Sequence, residues 1–382
     1  MYELIMPPIN RFGENCVSTI GLLAAEIKLK KALVVTDHNL VKLGIINSVL
    51  KSLETESITY SIFDEVKPNP TKENVLKGIE VYQNDKCDFI IGIGGGSSND
   101  CAKAIGMMVS NGGILEDYIG FNKSKNESPK LFMVNTTAGT ASEISRSFLI
   151  SDETKQEKLI FKDIHTLPYA SFNDPNLMVN LSQAITASTG MDALTHAIES
   201  YISTGKYPLT QKMSLASIEF IFTSLEEVIK DPQNIMLREQ MIYAQTLAGM
   251  SFCNSGLGLV HCMAHQLGGV YNLPHGLCNA ILLPFVMEFN QQVAKSGFSE
   301  IAHKLWPFET EDMSIDEASS YLIQKVNELS EKIGTKVSLK GLGVKEEDIP
   351  LLADKTLLDG NLPRNPIQPT KQEVEELFRE AY

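Results

Sequence analysis

Short, continuous hydrophobic runs alternate with amphipathic stretches through the first half of the chain. The runs are rich in β-branched and aromatic residues and predict β-strands at 32–36, 58–63, 88–93, 131–135 and 169–172. The segments between them carry apolar residues at helical spacing, as in a stretch that ends near Leu53 and in 71–83. Strands that are apolar throughout and separated by helices are typical of a parallel sheet covered on both faces. We therefore expect residues 1–180 to form an α/β domain.

The pattern changes near residue 181, where long segments of helical periodicity follow one another with few β-branched runs between them. The predicted helices are 184–203, 209–230, 232–252, 257–270, 276–294 and 315–333. Pro208, Pro232 and Pro274 fall where helices of this set begin, a position at which the missing N–H of proline costs little. We expect residues 181–382 to form an all-helical domain, with an active site in the cleft between the two domains.

Length and charge narrow the class of protein. A chain of 382 residues exceeds one ordinary hydrophobic core, which agrees with two domains. The formal net charge is −14 and no run of Lys or Arg occurs, which argues against binding to nucleic acid or to an anionic membrane surface. No apolar run approaches the roughly 20 residues that span a bilayer, and the N-terminal residues do not resemble a secretory signal. The six cysteines are scattered, which favours reduced thiols and a cytoplasmic location.

A glycine-rich segment, Gly-Ile-Gly-Gly-Gly-Ser at 92–97, joins a predicted strand to a predicted helix. Glycines allow close approach of a phosphate, and the start of a helix offers free N–H groups, but the segment matches neither common nucleotide fingerprint. Asp37 follows an earlier strand at its carboxyl end, where ligands of open α/β sheets bind. It could bind a ribose or cap the next helix. A second hydroxyl-rich turn at 136–143 also follows a strand. Together these features predict a dinucleotide-binding groove.

Histidines and an aspartate with metal-ligand spacing lie in the second half. Asp192 and His196 are four residues apart in one predicted helix, and His261 and His265 are four apart in another, so each pair projects from one helix face. His275 opens a third helix. Carboxylate and imidazole donors suit Fe²⁺ or Zn²⁺, and also Mn²⁺, Co²⁺ or Ni²⁺. Because a substrate oxygen also needs a coordination position, we do not expect all five residues to be ligands, and spacing alone does not say which is excluded.

These motifs resemble those of the iron-containing (type III) NAD-dependent alcohol dehydrogenases, the group that includes lactaldehyde reductase and 1,3-propanediol dehydrogenase. The resemblance covers essentially the whole chain. The motifs that carry it are Gly-Gly-Gly-Ser at 94–97, Thr-Thr-Ala-Gly-Thr-Ala-Ser-Glu at 136–143, Gly-Met-Asp-Ala-Leu-Thr-His-Ala-Ile-Glu at 190–199, and His-x-x-x-His-Gln-Leu-Gly-Gly-x-Tyr-Asn-Leu-Pro-His-Gly at 261–276.

The resemblance implies a reaction and a role for each residue. The reaction is hydride transfer between NAD(H) and a small primary alcohol or aldehyde, in a homodimer or higher homo-oligomer. The implied metal, Fe²⁺ with Zn²⁺ as the alternative, would be bound by Asp192, His196, His261 and His275. His265 would lie beside the nicotinamide and relay a proton, and Phe252 would line the substrate pocket. The residues implied in NAD binding are Asp37, Asn69, Gly95, Gly96, Ser97, Thr136, Thr137, Thr140 and Lys158.

Two departures from the family pattern leave the substrate open. Ser147 stands where lactaldehyde reductase has an asparagine, and residues 359–366 replace the usual cysteine-containing tail. Arg146 could hold the anionic tail of a short aldehyde similar to sulfoacetaldehyde, or it could lie on the surface. A metal- and NAD-using lyase similar to dehydroquinate synthase is the alternative from another class. Such an enzyme needs several cations around its substrate, whereas Arg146 is the only one that the metal motifs suggest.

Overall fold

The computed structural model describes residues 2–382, which form two compact units. Residues 5–180 make up one unit, and residues 181–382 together with residues 2–4 make up the other. We call them the sheet unit and the helical unit.

The sheet unit is built on a six-stranded sheet in which every pairing is parallel. Its strands run in the order β1-β9-β6-β4-β2-β3, and the remaining strands form a smaller sheet in the order β5-β8-β7. The strands are β1 Ile9–Phe12, β2 Lys31–Val35, β3 Thr59–Phe63, β4 Phe89–Gly94, β5 Gly120–Phe121, β6 Lys130–Asn135, β7 Ser147–Asp152, β8 Glu157–Lys162 and β9 Ala170–Asn173. Because the large sheet is parallel, the segments that follow β2, β3, β4 and β6 leave from the same edge.

Helices cover both faces of this sheet. They are α1 Ile20–Glu26, α2 His38–Lys42, α3 Asn47–Thr55, α4 Lys72–Asn84 and α5 Gly96–Asn111. Alternate strand residues enter two separate buried clusters: Leu33 and Ile90 pack with residues of α4 and α5, whereas Val34 and Ile91 pack with residues of α1 and α3. Burial on both faces explains why the strands read as continuous apolar runs, and it confirms the predicted covered parallel sheet.

A hairpin of β7 and β8 was not predicted from the sequence. The two strands pair antiparallel, with Ser147 opposite Lys162 and Asp152 opposite Glu157. Apart from Leu149 and Ile160, the outward positions of the two strands are polar, and the connecting turn is charged, so the sequence of this segment resembles that of an exposed loop. The backbone N–H of Ser151 donates to Pro70 O at 2.7 Å, which fixes the hairpin to the segment that leads into α4.

The helical unit confirms the largely helical second half. Its α-helices are α6 Gln183–Ile202, α7 Pro208–Lys230, α8 Ile235–Ser255, α9 Leu259–Tyr271, α10 His275–Leu305, α11 Ile315–Lys332, α12 Ile349–Leu357 and α13 Lys371–Glu380. Helix α8 begins after the side-chain cap of Asn234 rather than at Pro232. Helix α10 continues through Pro284 to Leu305, beyond the end predicted at 294. Within residues 2–382, no helix is both long enough and apolar enough to cross a lipid bilayer.

Candidate active site

Three of the implied metal ligands converge inside the helical unit. Asp192 lies on α6, His261 on α9 and His275 at the first position of α10, and one donor atom of each lies within 4.8 Å of the other two. Asp192 Oδ1 is 3.8 Å from His261 Nε2 and 3.6 Å from His275 Nε2. Donors around a tetrahedral ion with bonds of about 2.1 Å are about 3.4 Å apart. These residues therefore fit a single divalent cation.

Local sequence explains why His275 reaches Asp192. Pro274 precedes α10 in an extended conformation and serves as its N-cap residue, so His275 occupies the first turn. Gly276 allows this turn to pack against α6, because a Cβ at that position would lie 2.5 Å from the backbone oxygen of Ser188. The close approach of the two helices brings the donor atoms together.

His196 lies one turn after Asp192 on α6 and is buried. Its ring stacks between two others, with centroid distances of 4.4 Å to Phe252 and 4.5 Å to His261. Within residues 2–382, the compact donor group contains Asp192, His261 and His275 but not His196. The role of His196 as a fourth ligand therefore stays a prediction, whereas its position beside the site is clear.

The electrostatics of the site favour a carboxylate and a neutral imidazole. Burial tends to raise the pKa of Asp192, but His196, His275 and His261 together outweigh it and hold that pKa below its usual range. Burial lowers the pKa of His275 well below its ordinary value, which leaves its ring neutral with a lone pair. Burial also disfavours the charged form of His261, but Glu199 and Asp192 raise its pKa to about 9, and a more basic imidazole is a stronger donor to a cation.

Two neighbours of the ligand atoms were not predicted. Asn279 Nδ2 donates to Asp192 Oδ1 at 2.6 Å and lies 3.1 Å from His261 Nε2 and 3.2 Å from His275 Nε2. Asn279 is four residues after His275 on α10, the same spacing that identified the other pairs, so the sequence contained a signal for it. Glu199 accepts a hydrogen bond from His261 Nδ1 at 2.7 Å.

His265 has a carboxylate partner. Its Nδ1 is 2.8 Å from Asp359 Oδ2, and both side chains are buried. Its ring is nearly parallel to that of His275, with an interplanar angle of 14° and a centroid distance of 5.5 Å. Asp359 begins the tail that departs from the family pattern. Burial alone would raise the pKa of Asp359, but His265 lowers it, so this carboxylate stays charged beside the imidazole.

In the sheet unit, the glycine segment and the threonine turn lie against each other. A Cβ on Gly95 would lie 3.0 Å from Thr137 Oγ1, and one on Gly96 would lie 3.0 Å from Thr140 Cγ2. The backbone N–H of Thr136 donates to Gly94 O at 3.1 Å. Helix α5 starts directly at this point without a side-chain cap, which leaves its first N–H groups for an anion.

The remaining implied cofactor residues lie around the same edge of the sheet. Ser97 Oγ donates to Pro68 O, and Lys158 Nζ on β8 donates to Asn69 Oδ1. The hairpin thus brings Lys158 to Asn69, and the contact of Lys158 with a cofactor stays a prediction. Asp37 caps α2, since its Oδ1 accepts from the N–H groups of Asn39 and Leu40 at 2.9 and 3.2 Å. The implied contact of Asp37 with a ribose would use the second carboxylate oxygen, and that contact stays a prediction.

Comparison with known proteins identifies the family. A family model for iron-containing alcohol dehydrogenases matches residues 7–175, and the model for the C-terminal part of that family matches residues 186–382. The 1,3-propanediol dehydrogenase of Citrobacter freundii is 40% identical over 100% of this chain and 99% of its own length. The chain belongs to the iron-containing alcohol dehydrogenase family. It is therefore an oxidoreductase of alcohols and aldehydes, which confirms the predicted enzyme class and reaction.

Further similarities support this membership of the iron-containing alcohol dehydrogenases. The lactaldehyde reductase of Escherichia coli K12 is 38% identical over 97% of both chains. The NAD-dependent methanol dehydrogenase of Bacillus methanolicus is 36% identical over the full length of both. A solved structure of a 1,3-propanediol oxidoreductase superposes with a TM-score of 0.97 at 40% identity and covers both chains fully.

Arg146 and Ser147, which bear on the choice of substrate, lie at the start of β7 in this alcohol dehydrogenase. Ser147 begins β7, and its backbone oxygen accepts from the fully buried Lys103 Nζ at 2.8 Å. Arg146 directly precedes it, and the backbone oxygen of Arg146 accepts from Asp163 N at 3.2 Å. These contacts fix the backbone at the start of β7. They leave the proposed contact of Arg146 with a substrate as a prediction.

Proposed function

We propose that this alcohol dehydrogenase uses NAD(H) and one divalent metal ion to interconvert a short primary alcohol and its aldehyde. We favour Fe²⁺ as the metal, with Zn²⁺ as the alternative. The convergence of Asp192, His261 and His275 carries the proposal, because it offers mixed carboxylate and imidazole donors to a divalent ion. The names of the relatives support a short substrate, since they refer to 1,3-propanediol, methanol and lactaldehyde.

The proposed metal site consists of Asp192, His261 and His275, with His196 as the fourth ligand. When bound, the ion supplies a Lewis acid that polarises the substrate oxygen. His196 would complete the donor set, since its ring lies beside that of His261 at a centroid distance of 4.5 Å. Phe252 on the other side of His196 would give the substrate an apolar wall and exclude water from the reacting carbon.

The proposed cofactor site lies at the edge of the parallel sheet. Gly95, Gly96 and Ser97 would bind the pyrophosphate at the start of α5, where N–H groups and the helix dipole favour an anion. Thr136, Thr137 and Thr140 line the adjacent turn and would orient the nicotinamide end. Asn69 and Lys158, already in contact with each other, would bind further along the dinucleotide.

His265 is proposed to move the proton. Because Asp359 accepts from Nδ1, the Nε2 atom is left to exchange a proton with the alcohol or with a ribose hydroxyl in between. Asp359 would also stabilise the charged ring that forms when His265 takes the proton. Through its contact with His265, Asp359 would give the segment 359–366, which departs from the family pattern, a role in proton transfer.

Asp37 is expected to select NAD over NADP, because a 2′-phosphate would meet its negative charge. The variant Asp37→Asn removes the charge but keeps a side-chain oxygen that can cap α2, because asparagine is also a good N-cap residue. We expect the preference for NADH over NADPH, measured as the ratio of kcat/KM values, to fall by about tenfold or more. Asp64→Asn is the matched control, since Asp64 pairs with His38 at the surface nearby. An unchanged ratio in Asp37→Asn would remove Asp37 from cofactor selection.

A panel of substrates tests the proposed function. Protein loaded with Fe²⁺ or Zn²⁺ is expected to oxidise NADH with 3-hydroxypropanal, butanal or lactaldehyde, with higher kcat/KM than with sulfoacetaldehyde. A preference for sulfoacetaldehyde that disappears in Arg146→Ala would instead establish the anionic substrate. No NADH oxidation with any of these aldehydes in metal-loaded protein would contradict the proposal.

Two properties of the whole protein are also proposed. A cytoplasmic location is supported by the six cysteines, all free thiols, the form that a reducing compartment maintains. A homodimer or higher homo-oligomer follows from the family resemblance. We expect the mass in solution, measured by light scattering, to be at least twice that of the 42.2 kDa chain, and a mass equal to one chain would contradict the proposal.

A further inference from the structure

Glu199 is a buried carboxylate on α6, two turns after Asp192, and only 3% of its surface is exposed. It accepts three hydrogen bonds. Its Oε2 accepts from Gly258 N at 2.9 Å and from His261 Nδ1 at 2.7 Å, and its Oε1 accepts from Val260 N at 2.6 Å. A carboxylate this deeply buried needs partners of this kind, and one of them is a metal ligand.

The contact with His261 determines which ring nitrogen can bind a cation. A carboxylate only accepts, so Nδ1 must carry the proton that it donates to Glu199. The lone pair of the neutral ring then lies on Nε2. Nε2 is the atom that faces Asp192 Oδ1 at 3.8 Å. Glu199 therefore selects the tautomer in which His261 is a ligand, and it fixes the rotation of the ring.

Glu199 also balances charge. A divalent ion bound by Asp192 and neutral imidazoles would leave one uncompensated positive charge in a buried site. The carboxylate of Glu199 supplies the second negative charge, separated from the ion by the width of one imidazole ring. Compensation of this kind matters most where water is excluded, and Asp192, Glu199 and His261 are all at most 3% exposed.

We infer that Glu199 is a positioning residue of the metal centre, one that orients and polarises His261 so that the site binds its ion tightly. The inference rests on the metal site proposed above. The competing explanation is that Glu199 merely anchors the start of α9 through Gly258 and Val260. Because such an anchor would act on folding alone, metal affinity separates the two explanations.

The chain offers a matched control for the anchoring role. Asn365 Oδ1 accepts from Leu259 N at 3.1 Å, so a second side chain holds the same helix start without touching a ligand. Both side chains crowd Gly258, since a Cβ there would lie 2.7 Å from Asn365 Oδ1 and 3.0 Å from Glu199 Oε1. Loss of Asn365 should therefore disturb the start of α9 much as loss of Glu199 does.

The test compares Zn²⁺ affinity, measured by competition with a chromophoric chelator, in the wild-type chain, Glu199→Gln and Asn365→Ala. We expect Glu199→Gln to bind Zn²⁺ about 10–100-fold more weakly, the usual effect of losing the carboxylate behind a metal-bound histidine. Asn365→Ala should lower the thermal midpoint but change the affinity by less than about threefold. Equal affinity in the wild type and Glu199→Gln would overturn the inference, as would equal losses in both variants.

A second measurement needs no variant to fold. In Zn²⁺-loaded wild-type protein with ¹⁵N-labelled histidine, His261 should show a protonated Nδ1 and a metal-bound Nε2. A metal-bound Nδ1 would overturn the inference. Failure of the wild-type chain to bind Zn²⁺ at all would contradict the proposed function itself. A chain that binds Zn²⁺ through Nδ1 of His261 would contradict only the inference about Glu199, so the two failures are distinguishable.

Discussion

Replacing His275 with alanine is expected to remove the metal ion and to slow aldehyde reduction at least about thousandfold, because a Lewis acid worth several kcal/mol leaves with the metal. His275 is the best-placed ligand for this test, since α10 begins with it and its Nε2 lies 3.6 Å from Asp192 Oδ1. The measurements are metal content per chain after dialysis and kcat with saturating NADH and 3-hydroxypropanal.

His303→Ala is the matched control. His303 lies near the end of the same helix, and its Nδ1 contacts Thr310 Oγ1 at 2.9 Å rather than a ligand. We expect this variant to keep both metal and turnover. If His275→Ala kept its full metal content and rate, the ligand assignment would be wrong. His196→Ala extends the test, because loss of the metal in that variant would establish His196 as the fourth ligand.

Replacing His265 with alanine is expected to lower kcat by about 100–10,000-fold, the usual contribution of a positioned acid or base, while the metal stays bound. The separation of the two effects follows from the geometry: His265 Nδ1 is engaged by Asp359 at 2.8 Å, and His265 is outside the compact donor group of Asp192, His261 and His275. Metal content and kcat measured on the same preparation check both parts.

Asp359→Asn is the companion variant, because it keeps the shape of the side chain and removes the charge that supports a protonated His265. Its kcat should lie between those of the wild type and His265→Ala. Loss of metal in His265→Ala would make His265 a ligand instead of a proton carrier. An unchanged kcat in that variant would remove it from the reaction.

Helical spacing was sufficient to predict most of the candidate metal site. Asp192 with His196, and His261 with His265, project from one face of a helix each, and the start of α10 at His275 followed from Pro274. Spacing could not divide these residues into ligands and neighbours, because the division depends on how α6, α9 and α10 pack. The family resemblance supplied the division into ligands and neighbours. Of the four ligands that it implies, the compact donor group contains three.

The supporting groups escaped prediction because their partners are far away in sequence. Glu199 contacts His261 across 62 residues, and Asp359 contacts His265 across 94. Glu199 ends the motif at 190–199 and lies three residues after His196 on α6, but this spacing does not reveal a partner on α9, and no local pattern marks Asp359. Asn279 was within reach of sequence reasoning, since it follows His275 by one helical turn, but an asparagine inside an apolar helix is more often a hydrogen-bonded core residue.

The parallel sheet could be predicted because its strands are buried on both faces and therefore apolar throughout. The edge strand β1 could not be predicted, since none of its residues is fully buried and their polarity is mixed. The hairpin of β7 and β8 was missed because only alternate residues are buried, among polar and charged neighbours. The predicted end of α10 at 294 was also wrong. The helix, which passes through Pro284, continues to Leu305 with Phe298, Ile301 and Ala302 buried.

Titration of metal-depleted enzyme with Fe²⁺ or Zn²⁺, with bound metal and NADH-dependent reduction of 3-hydroxypropanal measured at each addition, tests the central claim most directly. The account predicts that the rate rises in proportion to occupancy and saturates at one ion per chain in the wild type, and that His275→Ala shows neither binding nor rate. Full activity of the metal-depleted wild-type enzyme, or the same titration curve in His275→Ala, would contradict it.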